Sequence, residues 1–281
     1  EDNASAAVYS YDRSNIIYIF VGLFLLMLWI IGGKKGFKSA IGLVFTFICI
    51  IYLFLPMLYK GYSPFLSAVI VIILITIVSL YLIDGITKKS ISAMIGTIIG
   101  VIIAGICAAG FGYVAKISGY NVSEVEELVF VANNTELKVG GILFSAILIA
   151  SLGAVMDVSM SISSTLTEIY NHNKNIGRVE LFKSGINVGR DMMGTMSNTL
   201  ILAFTGGSIN TLILNYAYAL KHNQIINMYE IGIEIMQGVS GSIAIILSVP
   251  LVSIISSYFL TYGRKKSLRS KINLDSILEY N

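Results

Sequence analysis

Asp157, Ser161, Ser164 and Glu168 lie in the stretch "GAVMDVSMSISSTLTEI" at spacings of 4, 3 and 4. Those spacings put all four on one face of a helix. Asp191, Thr195 and Asn198 in "GRDMMGTMSNTLILAF" follow at spacings of 4 and 3, again one face. Both stretches sit inside apolar runs. A bare carboxylate at membrane depth costs a few kcal/mol, and is tolerated when it faces water or polar partners. Arg190, Asn198, Thr195 and the serines are candidate partners for Asp157. Such a pair of stripes suits a polar cavity for an ion, a proton or a small solute. Asp157 would carry the charge, with Ser161, Ser164, Thr195 and Asn198 as neutral ligands. Glu168, Arg190, Asp191 and Asp84 would form an inner gate. Glu230, Glu234 and Gln237, also on one face, would line an outer vestibule. The competing reading is a non-transporting membrane scaffold, sensor or receptor subunit whose hydrogen-bonded cluster only holds two helices together.

These stripes need helices that cross a bilayer to carry them. The chain has 281 residues, 56% of them hydrophobic and 12% charged, with a formal net charge of +3. Soluble domains run near a quarter charged. Apolar stretches recur along the whole length, which predicts an all-α, polytopic transmembrane bundle. Seven spans are expected: 15–33, 39–58, 64–83, 91–115, 139–163, 188–205 and 230–262. The segment 206–222 follows a Gly-Gly-Ser break and reads as re-entrant or interfacial. With the N-terminus outside and the C-terminus inside, fourteen of the nineteen Lys and Arg fall in inner loops, as topology requires. No nucleic-acid partner is implied by so small a charge.

Depth along these spans follows from the helical rise. Asp157 lies about 27 Å from Val139, toward the inner side. Asp191 opens the sixth span at its inner end, with Thr195 and Asn198 about 6 to 12 Å further in. The linker 170–188 reads as a charged inner loop or surface helix. Residues 125–129 form the centre of a short amphipathic helix in the outer loop. Gly96, Gly100, Ala104, Ala108 and Gly112 recur every four residues, a smooth ridge for close helix packing. Pro250 removes one helical hydrogen bond and favours a kink.

Catalysis is disfavoured. "GVSGS" (238–242) resembles the surroundings of an intramembrane serine nucleophile, yet His172 and His222 lie in loops and no base follows. An aspartyl dyad of Asp157 and Asp191 would need the two carboxylates to share a proton. No cofactor fingerprint appears, and no metal-ligand spacing is legible. Cys49 and Cys107 fall inside apolar stretches and imply no disulfide framework.

Three stretches carry a resemblance: "GKKGFKSAIGLVFTFICIIYLFLPMLYKGYSP", "GAVMDVSMSISSTLTEI" and "SGINVGRDMMGTMSNTLILAF". Together they resemble the YibE/F family of bacterial multi-pass membrane proteins, closest to its YibE-type members. Those carry a further span ahead of the first helix seen here, so Glu1 reads as the start of a trimmed or shorter chain. The resemblance implies a bacterial cytoplasmic membrane location and no particular substrate; its members are often taken for permeases, with a homo-oligomer or a hetero-oligomer with another family member as possible assemblies. The family's motif positions map onto Asp157, Ser161, Ser164, Glu168, Gly189, Arg190, Asp191, Gly194, Thr195 and Asn198. The expected division is an extracytoplasmic tail at 1–14, a membrane domain at 15–262 and a basic cytoplasmic tail at 263–281.

Overall fold

A straight helix over the first apolar run would overshoot any bilayer. The computed structural model describes the backbone of residues 11–278 and the side chains of residues 11–262. Residues 1–10 of the expected N-terminal tail, and the side chains of the basic tail, lie outside it. The helical run Ser14–Tyr59 has 46 residues, about 69 Å if straight, against a hydrocarbon core of about 30 Å. It comprises α1 (Ser14–Cys49), a π-helical turn (Ile50–Phe54) just ahead of Pro56, and α2 (Leu55–Tyr59). Gly33 breaks it, at φ 54° and ψ −136°, a left-handed backbone that glycine adopts without steric cost. The two limbs fold back on each other. Trp29 and Phe37 bring their ring centroids to 6.0 Å, and Gly22, Leu26, Val44 and Ile48 line one groove. Ahead of the run, Asp12 accepts hydrogen bonds from the Ser14 hydroxyl and backbone N–H, which hold its carboxyl below the usual range.

Gly36 sits at the tightest point of this hairpin. A Cβ there would overlap the Leu28 carbonyl oxygen across the bend, and backbone cannot move aside as a side-chain tip does. Gly36→Ala should therefore lower stability by about 1–3 kcal/mol, read as a lower melting temperature in detergent. Gly22→Ala, on the same hairpin with nothing within 4 Å of the added methyl, should leave it unchanged.

Beyond the hairpin come α3 (Pro64–Asp84), α4 (Lys88–Ala115), α5 (Val125–Asn133), α6 (Ile142–His172), α7 (Arg178–Gly207), α8 (Ile209–Ala217), α9 (His222–Ile226) and α10 (Tyr229–Leu278). No strand occurs among the described residues. Five helical stretches are long and apolar enough to cross a membrane: Ser14–Tyr59, Pro64–Asp84, Lys88–Ala115, Val139–His172 and Tyr229–Tyr262. α7 and α8 pass that test only together, as a pair bent by 60°. This is where the sequence predicted a break at 206–208. Pro250 lies inside α10, whose backbone helix continues on both sides of it. The fifth and sixth expected spans are also longer than read. α6 runs on to His172 and α7 begins at Arg178, so most of the linker 170–188, read as a charged inner loop or surface helix, is helical and continuous with those two helices.

The glycine ridge of α4 is buried in the core. A Cβ on Gly96 would overlap Val252 of α10, and one on Gly100 would press on Val155 of α6. Ala104 and Ala108 are fully buried. The ridge thus holds α4 against two helices at once, by the close backbone approach that small residues permit. α7 uses Gly185 and Gly189 in the same way against Ser253 and Val249 of α10.

Candidate functional site

Packed pairs set the depth of both stripes. Gly185 meets Ser253, Gly189 meets Val249, and Leu200 and Ile201 reach Gly241 and Gly238. At the N-terminal end of α7, Arg178 Nε donates to Thr261 Oγ1 at 3.1 Å and its guanidinium lies 4.7 Å from the Tyr258 ring centre. α7 therefore runs antiparallel to α10 along nearly all of the apolar stretch Tyr229–Tyr262. α6 runs parallel to α10: Ser151 lies by Gly241, and the Ser256 hydroxyl donates to Ser163 Oγ at 3.2 Å.

Two carboxylates fall in one layer as a result. Val155 packs on Gly100 beside Ser248, which puts Asp157 close to the level of Val249. Asp191, two residues on from Gly189, lies at nearly the same level from the opposite direction. That layer is near the middle of the 34-residue span of α10. Asp191 was expected at the inner mouth. In the bundle it lies level with Asp157, because α7 starts ten residues before its apolar stretch and packs on Val249 through Gly189.

Both stripes face away from the core. On α6, Val155, Val158, Ser159 and Ile162 are buried, while Asp157 and Glu168 on the opposite face are exposed and Ser161 and Ser164 half-buried. On α7, Leu181, Gly185, Gly189 and Leu200 are buried, while Arg190, Asp191, Thr195 and Asn198 are exposed. No hydrogen bond joins the two stripes among the described residues. The ion pairs found there are Lys35–Asp84 at 3.7 Å and Lys89–Asp84 at 2.8 Å, so Arg190 is not the partner of Asp157. Thr195 donates its hydroxyl to the Asp191 carbonyl oxygen at 3.3 Å, within its own helix.

Asp84 has a different role from the other expected gate residues. Its carboxylate binds Lys89, whose ammonium also donates to Ser164 Oγ at 3.3 Å. Ser163 donates to the Lys89 carbonyl oxygen at 2.7 Å. These contacts fasten the α3–α4 turn to the C-terminal half of α6, and Lys35 brings in the hairpin.

The residues of the expected outer vestibule gather around a cavity. Glu230, Glu234 and Gln237 line a space of about 290 Å³ with Ser123, Ser208 and Thr211. A second space of about 220 Å³ shares Ser208, Ile231 and Glu234 and continues along Thr205 and Gly238. Glu234 Oε2 is buried and has no hydrogen-bond partner among the described residues. The 60° bend between α7 and α8 opens this cavity, since Gly207 and Ser208 at the bend form one wall. Among the described residues no three His, Cys, Asp or Glu side chains group as a metal site would.

A family model described as YibE/F-like protein matches residues 20–262. The chain belongs to this family. No curated protein and no solved structure gives a significant match. Its apolar helices and the family match make this YibE/F-like protein a multi-pass membrane protein. Within it, the structure brings Glu230, Glu234 and Gln237 to one cavity and puts Asp157 and Asp191 in one layer. Asp84 stands apart in its lysine cluster. Sequence reasoning missed Ser123, Ser208 and Thr211. The Gly206-Gly207-Ser208 break was the available signal for two of them, because a helix bent there must turn its next residues toward α10.

Proposed function

We propose that this YibE/F-like protein is a permease of the bacterial cytoplasmic membrane for an ion or a small polar solute. It crosses the bilayer seven times, with the N-terminus outside and the C-terminus inside. The Gly33 hairpin counts as two crossings and the bent α7–α8 pair as one. The observation that carries the reading is Asp157, a carboxylate near mid-span with no hydrogen-bond or ion-pair partner among the described residues. A carboxylate kept only to bind helices together would be hydrogen-bonded, because an unpaired one costs more than it contributes. Helices broken at membrane depth beside a polar cavity are a feature of transporters, and the α7–α8 bend with the Glu234 cavity has that form. The scaffold reading draws on the Asp84–Lys89–Ser164 cluster, which is structural in just this sense.

Purified protein in proteoliposomes tests the proposal. Flux of protons, alkali cations or small polar solutes above that of empty liposomes is expected. Its absence for all three classes, with the protein still folded, overturns the permease reading. Topology has its own test. After Cys49→Ala and Cys107→Ala, a cysteine replacing Thr135 should react with an impermeant maleimide added outside the cell. One replacing Lys174 should react only after the membrane is opened. The reverse pattern would invert the orientation.

A further inference from the structure

We infer that a second copy of this chain covers the outward face of α7 inside the membrane. Asn187, Asp191, Gly194, Asn198 and Thr205 fall on one side of the helix, at spacings that keep them in line, and all five are exposed. The line runs about 27 Å from Asn187 to Thr205, close to the full thickness of the hydrocarbon. It lies at membrane depth because α7 tracks α10 residue by residue through Gly185, Gly189, Leu200 and Ile201. The side chains of Asn187, Asp191 and Asn198 have no hydrogen-bond partner among the described residues. Acyl chains offer no donors or acceptors, so lipid cannot satisfy this face.

The chemistry of the face selects its own copy as the occupant. A two-fold axis along the membrane normal brings equivalent residues together at equal depth, and such an interface must be self-complementary. Each asparagine amide has both donor and acceptor, so Asn198 can bond to Asn198 of a second copy, and Asn187 likewise. The same axis brings the two Asp191 carboxylates to one level, and Arg190, the preceding residue and opposite in charge, supplies each copy with a cation at that level to offset them. At Gly194 a Cβ would meet nothing within 4 Å, which leaves room for a second backbone to approach. The inference needs only that α7 lies in the membrane, and holds whatever the chain carries.

Single cysteines placed in turn along positions 187–205, in a chain carrying Cys49→Ala and Cys107→Ala, test it in native membranes. Mild oxidation should give a disulfide-linked band of twice the chain mass, strongest at Asn187→Cys, Gly194→Cys and Asn198→Cys and recurring with the helical period. Ile77→Cys on α3 is the control, since Ile77 is exposed on a wholly apolar helix surface. Cross-linking no greater on α7 than at position 77, or a linked band of some other mass, overturns the inference. Should one substitution prevent accumulation, the remaining positions of the scan still decide.

Discussion

Asp157→Asn should abolish flux through the reconstituted protein while leaving its folding intact. The substitution keeps size and shape and removes one negative charge. At about 4 Å and an effective dielectric near 20, that charge attracts a cation by about 4 kcal/mol. Losing it weakens binding by about two to three orders of magnitude, and proton carriage by this group ends altogether. Stability should hold, because Asp157 is exposed and has no partner among the described residues to lose. Removing a charge from membrane depth favours the inserted state if it does anything. Melting temperature and tracer flux measured on the same preparation separate the two effects. Undiminished flux in the variant would remove Asp157 from the transport site. A lowered melting temperature would return it to the structural cluster.

Gly189→Leu should prevent folded protein from accumulating in the membrane. A Cβ at this position would already overlap Val249 Cγ1, with Cγ2 at 3.0 Å and Cβ at 3.1 Å. Valine is stiff and α10 is packed on its other sides, so neither helix can yield locally. Overpacking by one methyl costs about 1–3 kcal/mol, and leucine adds three further carbons to the same contact. Shortening the opposing side chain supplies the control. Gly189→Ala with Val249→Ala removes both methyls that clash and should recover most of the yield lost by Gly189→Ala alone. Gly110→Ala, with open space around it, should be neutral or slightly stabilising because alanine is the better helix former. Yield after detergent extraction, followed by size-exclusion chromatography, reads all four variants. Full recovery of Gly189→Leu would mean that α7 does not press on α10 as described.

Hydropathy located the apolar core of every long helix, because burying or immersing some twenty residues in lipid needs that many apolar side chains. It could not find helix ends that leave the lipid. Thr165–His172 and Arg178–Ser184 are polar yet helical, and the level of Asp191 opposite Val249 could not be read from hydropathy. Periodicity identified the stripes, since a face is set by the 3.6-residue turn. Which way the face points depends on neighbours far off in sequence. Gly185 and Gly189 turn one side of α7 onto α10, so Asp191 and Asn198 are left on the other. The glycine ridge of α4 was legible as a packing surface for the same reason, but its partners, Val252 and Val155, were not. Glu230, Glu234 and Gln237 could be grouped by spacing on a single helix. Ser123 and Thr211 join them only through the loop before α5 and the α7–α8 bend.

The Gly33 hairpin bears on how the protein meets membranes of different thickness. In the limb ahead of Gly33 only Leu25 and Leu28 are even half-buried, while α4, α6 and α10 interlock through glycine contacts at many levels. A bilayer that does not match a helix is accommodated by tilt, at fractions of a kcal/mol per ångström. The interlocked helices can tilt only as a body. The first limb is attached through one glycine and one groove, so it changes angle alone. Hydrophobic mismatch is thereby absorbed at the edge of the molecule, and the layer that holds Asp157 and Asp191 keeps its depth.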